Sequence, residues 1–185
     1  MVKSSPCVRQ QWLAAKAQGE QCLSTSSRLP GRTLPIVSPL GELRGWQIKK
    51  TDAVWNHPVG VKRHDTFFGI ERAFSDTAVL VESPLDVVRF HSVYEGIDIN
   101  CISSFGAAVA DQQLMLAARR FDKLIIALDN DDTGHKQTKR IQKRLPSFRK
   151  GIWYWPYDAD SPKDIGEMTD GQLIRGINSI TSVFR

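Results

Sequence analysis

Six acidic residues between positions 82 and 164 of this chain fall where carboxylates can work together. Glu82 closes the apolar run Ala78-Val-Leu-Val-Glu82. Asp129 and Asp131 close a second run, Lys123-Leu-Ile-Ile-Ala-Leu-Asp129, in the string Asp129-Asn-Asp-Asp-Thr-Gly134. Asp158, Asp160 and Asp164 follow a third, Ile152-Trp-Tyr-Trp155. Carboxylate oxygens are the ligands that Mg²⁺ prefers, with waters and substrate phosphates completing its shell. Like charges gathered at one end of a sheet need a cation, so the pattern points to metal-assisted phosphoryl chemistry. Any one of these acids could instead cap a helix or hold a turn; three strand ends together are harder to explain that way.

The elements that must position these acids can be read from the apolar pattern. Short β-branched runs alternate with amphipathic segments. Strands are expected at Ala78–Glu82, Ile99–Ile102, Lys123–Asp129 and Ile152–Trp155, and helices at Pro84 to about Tyr94, Asp111–Arg120 and Thr133–Leu145. Near-continuous apolar strands separated by helices predict an α/β fold with a parallel sheet buried on both faces. In such sheets, reactive groups lie beyond the C-terminal strand ends, where the acids fall. Ahead of this core, Leu34–Ser38 and Leu43–Ile48 predict two strands around a Pro39-Leu40-Gly41 turn, followed by a loop containing Trp55-Asn-His-Pro58.

The acidic motifs resemble those of Toprim domains. Val81-Glu-Ser-Pro-Leu-Asp86 is similar to the family's Glu-Gly-x-x-Asp, with Ser83 at the usual glycine. Asp129-Asn-Asp-Asp-Thr-Gly134 matches Asp-x-Asp-x-x-Gly, and Lys163-Asp164 resembles a Lys-Asp pair near the domain's end. Ser103-Ser-Phe-Gly-Ala107 is similar to the turn after the family's second strand, and the likeness spans about Thr77 to Met168. It implies a Toprim fold with a smaller mixed N-terminal lobe. Glu82, Asp129 and Asp131 would be catalytic, and the same three with Asp164 would hold Mg²⁺ or Mn²⁺, as two ions. Asp86, Asp160 and Gly134 would support the ligands from around them.

Pro35-Ile-Val-Ser-Pro-Leu-Gly-Glu-Leu-Arg-Gly45, then Asn56-His-Pro58, basic residues and Phe68-Gly-Ile70, resemble the approach to this core in bacterial-type (DnaG-like) primases. That likeness implies RNA primer synthesis on single-stranded DNA from nucleoside triphosphates. It also implies a helicase or a separate zinc-module protein as partner, and a cytoplasmic setting in a bacterial cell, with a phage or mobile-element version among the forms it resembles. The expected organisation is a basic arm over 1–33, a small lobe over 34–76 and the Toprim domain over 77–185. A Toprim nuclease, or a non-catalytic replication or recombination module binding nucleic acid, would use similar residues.

Composition narrows the rest. The 25 Lys and Arg against 20 Asp and Glu give a formal charge of +5, so the distribution of charge matters more than its sum. Seven basic and no acidic residues lie between Thr133 and Lys150, suited either to phosphates or to a solvated helix face. Candidate nucleic-acid or nucleotide contacts are Lys49, Lys50, Lys62, Arg63, Lys136, Arg140 and Lys143. Cys7, Cys22 and Cys101 have no short spacing, so they build no zinc ribbon or disulfide framework, and zinc is not expected. No apolar run approaches the roughly 20 residues of a membrane span, and the N-terminus lacks the apolar stretch of a signal peptide.

Overall fold

A computed structural model describes residues 32–50, 53–144, 151–158 and 160–183. Almost all of the expected basic arm, and the end of the basic run from Leu145 to Lys150, lie outside the described residues.

The chain divides into two compact units, the smaller containing Gly45–Val61 and the larger containing Ile36–Arg44 and all that follows Lys62. Three strands, β1 (Arg32–Val37), β2 (Leu43–Lys49) and β3 (Val54–His57), form one sheet in that order. β3 is a correction: the segment around Trp55 and Asn56 was expected to be a loop. Instead it runs antiparallel to β2, with Gln47 opposite Asn56 and Trp46 opposite His57. The polar Asn-His pair masked a strand whose cross-strand contacts are largely polar and aromatic. Gln47 donates to the Asn56 side chain at 3.2 Å, and Trp46 stacks on His57 with ring centroids 5.1 Å apart.

The larger unit is built on four parallel strands. β4 (Thr77–Val81), β5 (Asn100–Ser103), β6 (Lys123–Ile126) and β7 (Ile152–Tyr154) lie in the order β5-β4-β6-β7. Side chains of a strand alternate between faces, and the core divides accordingly. Ala78, Leu80, Ile102, Leu124 and Ile126 face one way. The first helix, α1, spans Pro84–Val93; on this face the strands meet Leu114 and Ala117 of α2 (Asp111–Arg120) and Ile141 of α3 (Asp132–Arg144). Val79, Val81, Cys101 and Ile125 face the other way, against Val87 and Phe90 of α1 and Leu173, Ile177 and Ile180 of α4 (Asp170–Val183). Both faces are therefore covered, which is why these strands read as unbroken apolar runs.

Helix α4 was not anticipated from the sequence, although Leu173, Ile177 and Ile180 keep helical spacing. Gly176 sits between them where an added Cβ would fall 2.3 Å from the Trp155 ring, so the glycine lets the helix lie against that buried indole. Among the described residues, no helix is long and apolar enough to cross a membrane.

Candidate active site

Parallel pairing brings the ends of β4 and β6 side by side. β4 delivers Glu82 one residue beyond its end. The chain after β6 continues extended, with the Ala127 N–H donating to the Leu80 carbonyl at 2.9 Å, and delivers Asp129 beside it. The Asp129 N–H donates to Glu82 Oε1 at 3.2 Å. The turn after β5 holds Glu82 from behind: its carbonyl accepts from the Gly106 N–H at 2.8 Å and from Ser103 Oγ at 2.7 Å. Within this turn Phe105 takes the left-handed conformation at φ 63°, and Arg63 donates to its carbonyl at 2.7 Å.

Ser83 is accommodated without strain. Its backbone is extended, at φ −100°, and its hydroxyl caps α1 by accepting from the Leu85 N–H at 3.2 Å. Asp86, buried in the first turn, accepts from the Ser83 N–H at 3.2 Å. Together they form a reciprocal N-terminal cap followed by Pro84, a favoured residue at that point. A glycine is not needed here. Asp86 thus fixes the helix that begins two residues after Glu82.

Beyond Asp129 the chain turns sharply into α3. Asp131 Oδ1 accepts from the N–H groups of Thr133 and Gly134, each at 2.9 Å. The loop is tied across to the segment after β7, because the Asn130 N–H donates to the Lys163 carbonyl at 2.6 Å. From that segment the Lys163 ammonium lies 3.1 Å from Asp129 Oδ2 and 3.4 Å from Asp131 Oδ2. Asp164 caps the short 3-10 turn Ile165–Glu167, accepting from the Glu167 N–H at 2.9 Å.

Protonation follows from this crowding. Burial, then the neighbouring Asp129, pushes the Glu82 carboxyl up to about 7. Burial also raises Asp129, against the opposing pull of Lys163. Asp131, open to solvent, is held below the usual carboxylate range by the Gly134 and Thr133 N–H groups and Lys163. Lys163 is raised by its hydrogen bond to Asp129 and then by Asp131. The Tyr157 hydroxyl is raised by its own burial and by Asp129, Asp86, Asp164 and Glu82, which marks these carboxylates as one electrostatic group.

Of the residues singled out by sequence, Glu82, Asp129 and Asp131 are gathered at one place, with Gly134 and Asp86 in the turns that shape it. Asp160 is exposed, and its carbonyl accepts from the Gln172 side chain at 3.4 Å. On α3, Lys136 and Lys143 are exposed, whereas Arg140 lies 3.8 Å from Asp111 on α2. Lys62 is exposed, and Arg63 braces the Phe105 turn. Lys49 and Lys50 belong to the smaller unit, where the Lys50 ammonium lies 4.3 Å above the Trp55 ring. Lys163 was passed over as a functional residue, although it stands beside Asp164 in the Lys-Asp pair. Ser103 was also passed over; only its place in a small-residue turn hinted at its grip on Glu82.

Whether a divalent cation suits this site can be judged from its donors. Among the described residues, no three His, Cys, Asp or Glu side chains converge tightly enough to hold an ion as they stand. Two do aim at one cation: the Oδ2 atoms of Asp129 and Asp131 both face the Lys163 ammonium. An all-oxygen pair with open positions around it suits Mg²⁺ or Mn²⁺, which keep several waters. The residues present fit a hard divalent ion.

The Toprim-like family matches residues 79–168, a stretch that holds Glu82, Asp129, Asp131, Lys163 and Asp164. Residues 79–168 are thus similar to the Toprim-like family, and the chain resembles bacterial primases. DNA primase of Aquifex aeolicus is 29% identical over 165 residues, covering 82% of this chain and 32% of that protein. The chain thus spans about a third of the curated relative it matches. The crystal structure of the Aquifex aeolicus primase zinc-binding and RNA polymerase domains superposes with a TM-score of 0.62 at 25% identity, covering 90% of this chain and 46% of that one. A DNA primase domain from Pseudomonas aeruginosa gives a TM-score of 0.62 at 18% identity over 93% of this chain and 62% of that one. At that identity the likeness shows the fold alone. The Toprim-like fold here has its four-stranded parallel sheet covered by helices on both faces, with the three-stranded antiparallel sheet preceding it in the chain.

Proposed function

We propose that this chain is a divalent-metal-dependent nucleotidyltransferase that synthesises RNA primers on single-stranded DNA. The single observation that carries this reading is the convergence of Asp129 and Asp131 on one cation, with the desolvated Glu82 hydrogen-bonded alongside. Asp129 and Asp131 would hold Mg²⁺ or Mn²⁺, with Asp164 and Glu82 completing the set. When bound there, the metal neutralises phosphate charge and makes a ribose hydroxyl easier to deprotonate. Glu82, held against the Asp129 N–H beside that pair and kept ionised by a bound cation, is placed to take the proton from an attacking 3′-hydroxyl. The Gly106 and Ser103 hydrogen bonds keep its backbone fixed while it does so. Lys136, Lys143, Lys62 and the pair Lys49 and Lys50 would track template or triphosphate phosphates as point charges.

The relationship to the Aquifex aeolicus primase supports primer synthesis over hydrolysis by the same site. The test is ribonucleotide incorporation on single-stranded DNA with Mg²⁺ or Mn²⁺, comparing the wild type with Asp129→Asn. Metal-dependent incorporation lost in the variant supports the assignment. Strand cleavage without incorporation would identify a nuclease instead.

A further inference from the structure

Lys163 occupies the point toward which the metal-suited oxygens are aimed. Asp131 Oδ1 is already engaged by two backbone N–H groups, so Oδ2 is the oxygen it has left for a cation. That atom lies 3.4 Å from Lys163 Nζ, and Asp129 Oδ2 lies 3.1 Å from it. The lysine's hold on the loop is divided between two groups. Its carbonyl accepts from the Asn130 N–H and would stay in place if the side chain left. Its ammonium sits at the end of a flexible four-carbon stem with 54% of the side chain exposed. An ordinary exposed ion pair contributes little. This ammonium differs in bridging two carboxylates at once.

We propose that Lys163 is a displaceable counter-cation. It holds Asp129 and Asp131 together before metal arrives and is expelled from between them when a divalent ion enters. The inference rests on the metal chemistry proposed above and concerns what that metal must displace. Lys163 Nζ fills the space between the two Oδ2 atoms, so an ion bound at that point must separate Lys163 from its partners. The lysine therefore weakens metal affinity while preorganising the loop. It is a positioning residue, not a group that touches the reacting atoms.

The probe is Mn²⁺ alone, followed by electron paramagnetic resonance titration of the full chain. Wild type, Lys163→Met, Lys163→Arg and Asp129→Asn are compared, with thermal unfolding in chelator and in Mn²⁺. Removing one charge about 3 Å from both ligands is expected to tighten Mn²⁺ binding about tenfold in Lys163→Met. The same variant should melt lower than wild type in chelator and gain more from Mn²⁺, while Lys163→Arg, which keeps the charge, behaves like wild type. Should Lys163→Met not fold, Lys163→Gln serves the same comparison. Binding lost in Asp129→Asn but unchanged or weaker in Lys163→Met overturns the lysine's role and leaves the metal reading standing. Mn²⁺ bound by none of the proteins, or retained fully by Asp129→Asn, overturns the metal reading and this inference with it.

Discussion

Gly134 approaches Asp129 so closely that a Cβ added to it would lie 1.9 Å from the Asp129 carbonyl oxygen. The first turn of α3 is folded back onto the strand end that carries the catalytic candidate, and only a residue without a side chain fits. Gly134→Ala must open that turn and move Asp131, whose Oδ1 accepts from the Gly134 N–H. The expected cost is about 2 kcal/mol in urea unfolding, typical of overpacking at a rigid contact. Catalytic activity should fall further than stability explains. An alanine variant as stable as wild type would show that the turn relaxes freely.

Asp129→Asn and Asp131→Asn should each reduce primer synthesis by about two orders of magnitude or more, the scale on which losing a preorganised electrostatic group acts. Neither side chain packs in the apolar core, so circular dichroism and the unfolding midpoint should stay near those of wild type. Near-normal turnover in either variant would remove that residue from the reacting centre.

The Toprim sheet was legible because β4, β5, β6 and β7 are covered on both faces, and burial on both faces writes a strand as an unbroken apolar run. The acids were legible because each stands just beyond such a run. Less could be read where contacts decide. β3 is an edge strand whose Trp55 and His57 are exposed, so it carries no apolar signature. The periodic apolar residues of α4 were present but lay beyond the motif that anchored the reading. Lys163 could not be ranked from sequence, because its importance comes from Asn130 tying its backbone beside Asp129. The arginines of the basic run looked equivalent to its lysines until α2 placed Asp111 against Arg140 and Arg144.

His91 gives the fold a weakness toward acid. Burial, then the like-charged Arg72, lowers it from 6.5 to about 4, with a backbone hydrogen bond at Tyr94 opposing, and its Nδ1 is buried without a hydrogen-bond partner. The folded pKa is depressed, so the folded chain binds fewer protons than the unfolded chain between these values. Its contribution to stability is present above pH 6.5 and lost as pH falls toward 4. His91→Gln should reduce the acid-side loss by on the order of 2 kcal/mol, read from urea midpoints between pH 7 and 4.5. Parallel curves for the two proteins would refute the assignment.

Glu82 slopes the other way. Its pKa in the folded chain, about 7, lies above the ordinary 4.5, so the folded state holds the extra proton. The contribution to stability is present in full below pH 4.5 and lost as pH rises through 7, with Asp129 and Asp131 adding repulsion and Lys163 relieving it. Glu82→Gln should flatten the decline between pH 5 and 8. Mg²⁺ should stabilise the wild type more at pH 8 than at pH 5, since a bound cation favours the charged carboxylates. A stabilisation by Mg²⁺ that is equal at both pH values would detach Glu82 from the metal's field.

Nucleic-acid affinity should be sensitive to salt and indifferent to sequence, because exposed lysines meet phosphates as point charges and do not read base edges. The residues of α3 should not contribute equally. Arg140 lies 3.8 Å from Asp111, and Arg144 is hydrogen-bonded to the same carboxylate, so both are partly neutralised by α2. Lys136 and Lys143 are exposed on the same helix. Replacing these two lysines with glutamine should lower the slope of log affinity against log salt by about 1.5, close to one phosphate contact for each charge. Arg140→Gln alone should change it less than either lysine does. Asp111→Asn, by freeing both arginines, should steepen the slope and tighten binding at low salt. Fluorescence anisotropy with a labelled single strand, titrated at several salt concentrations, measures each variant directly. If the double lysine variant keeps the wild-type slope, α3 is a solvated outer face, and the phosphate path must run over other basic residues.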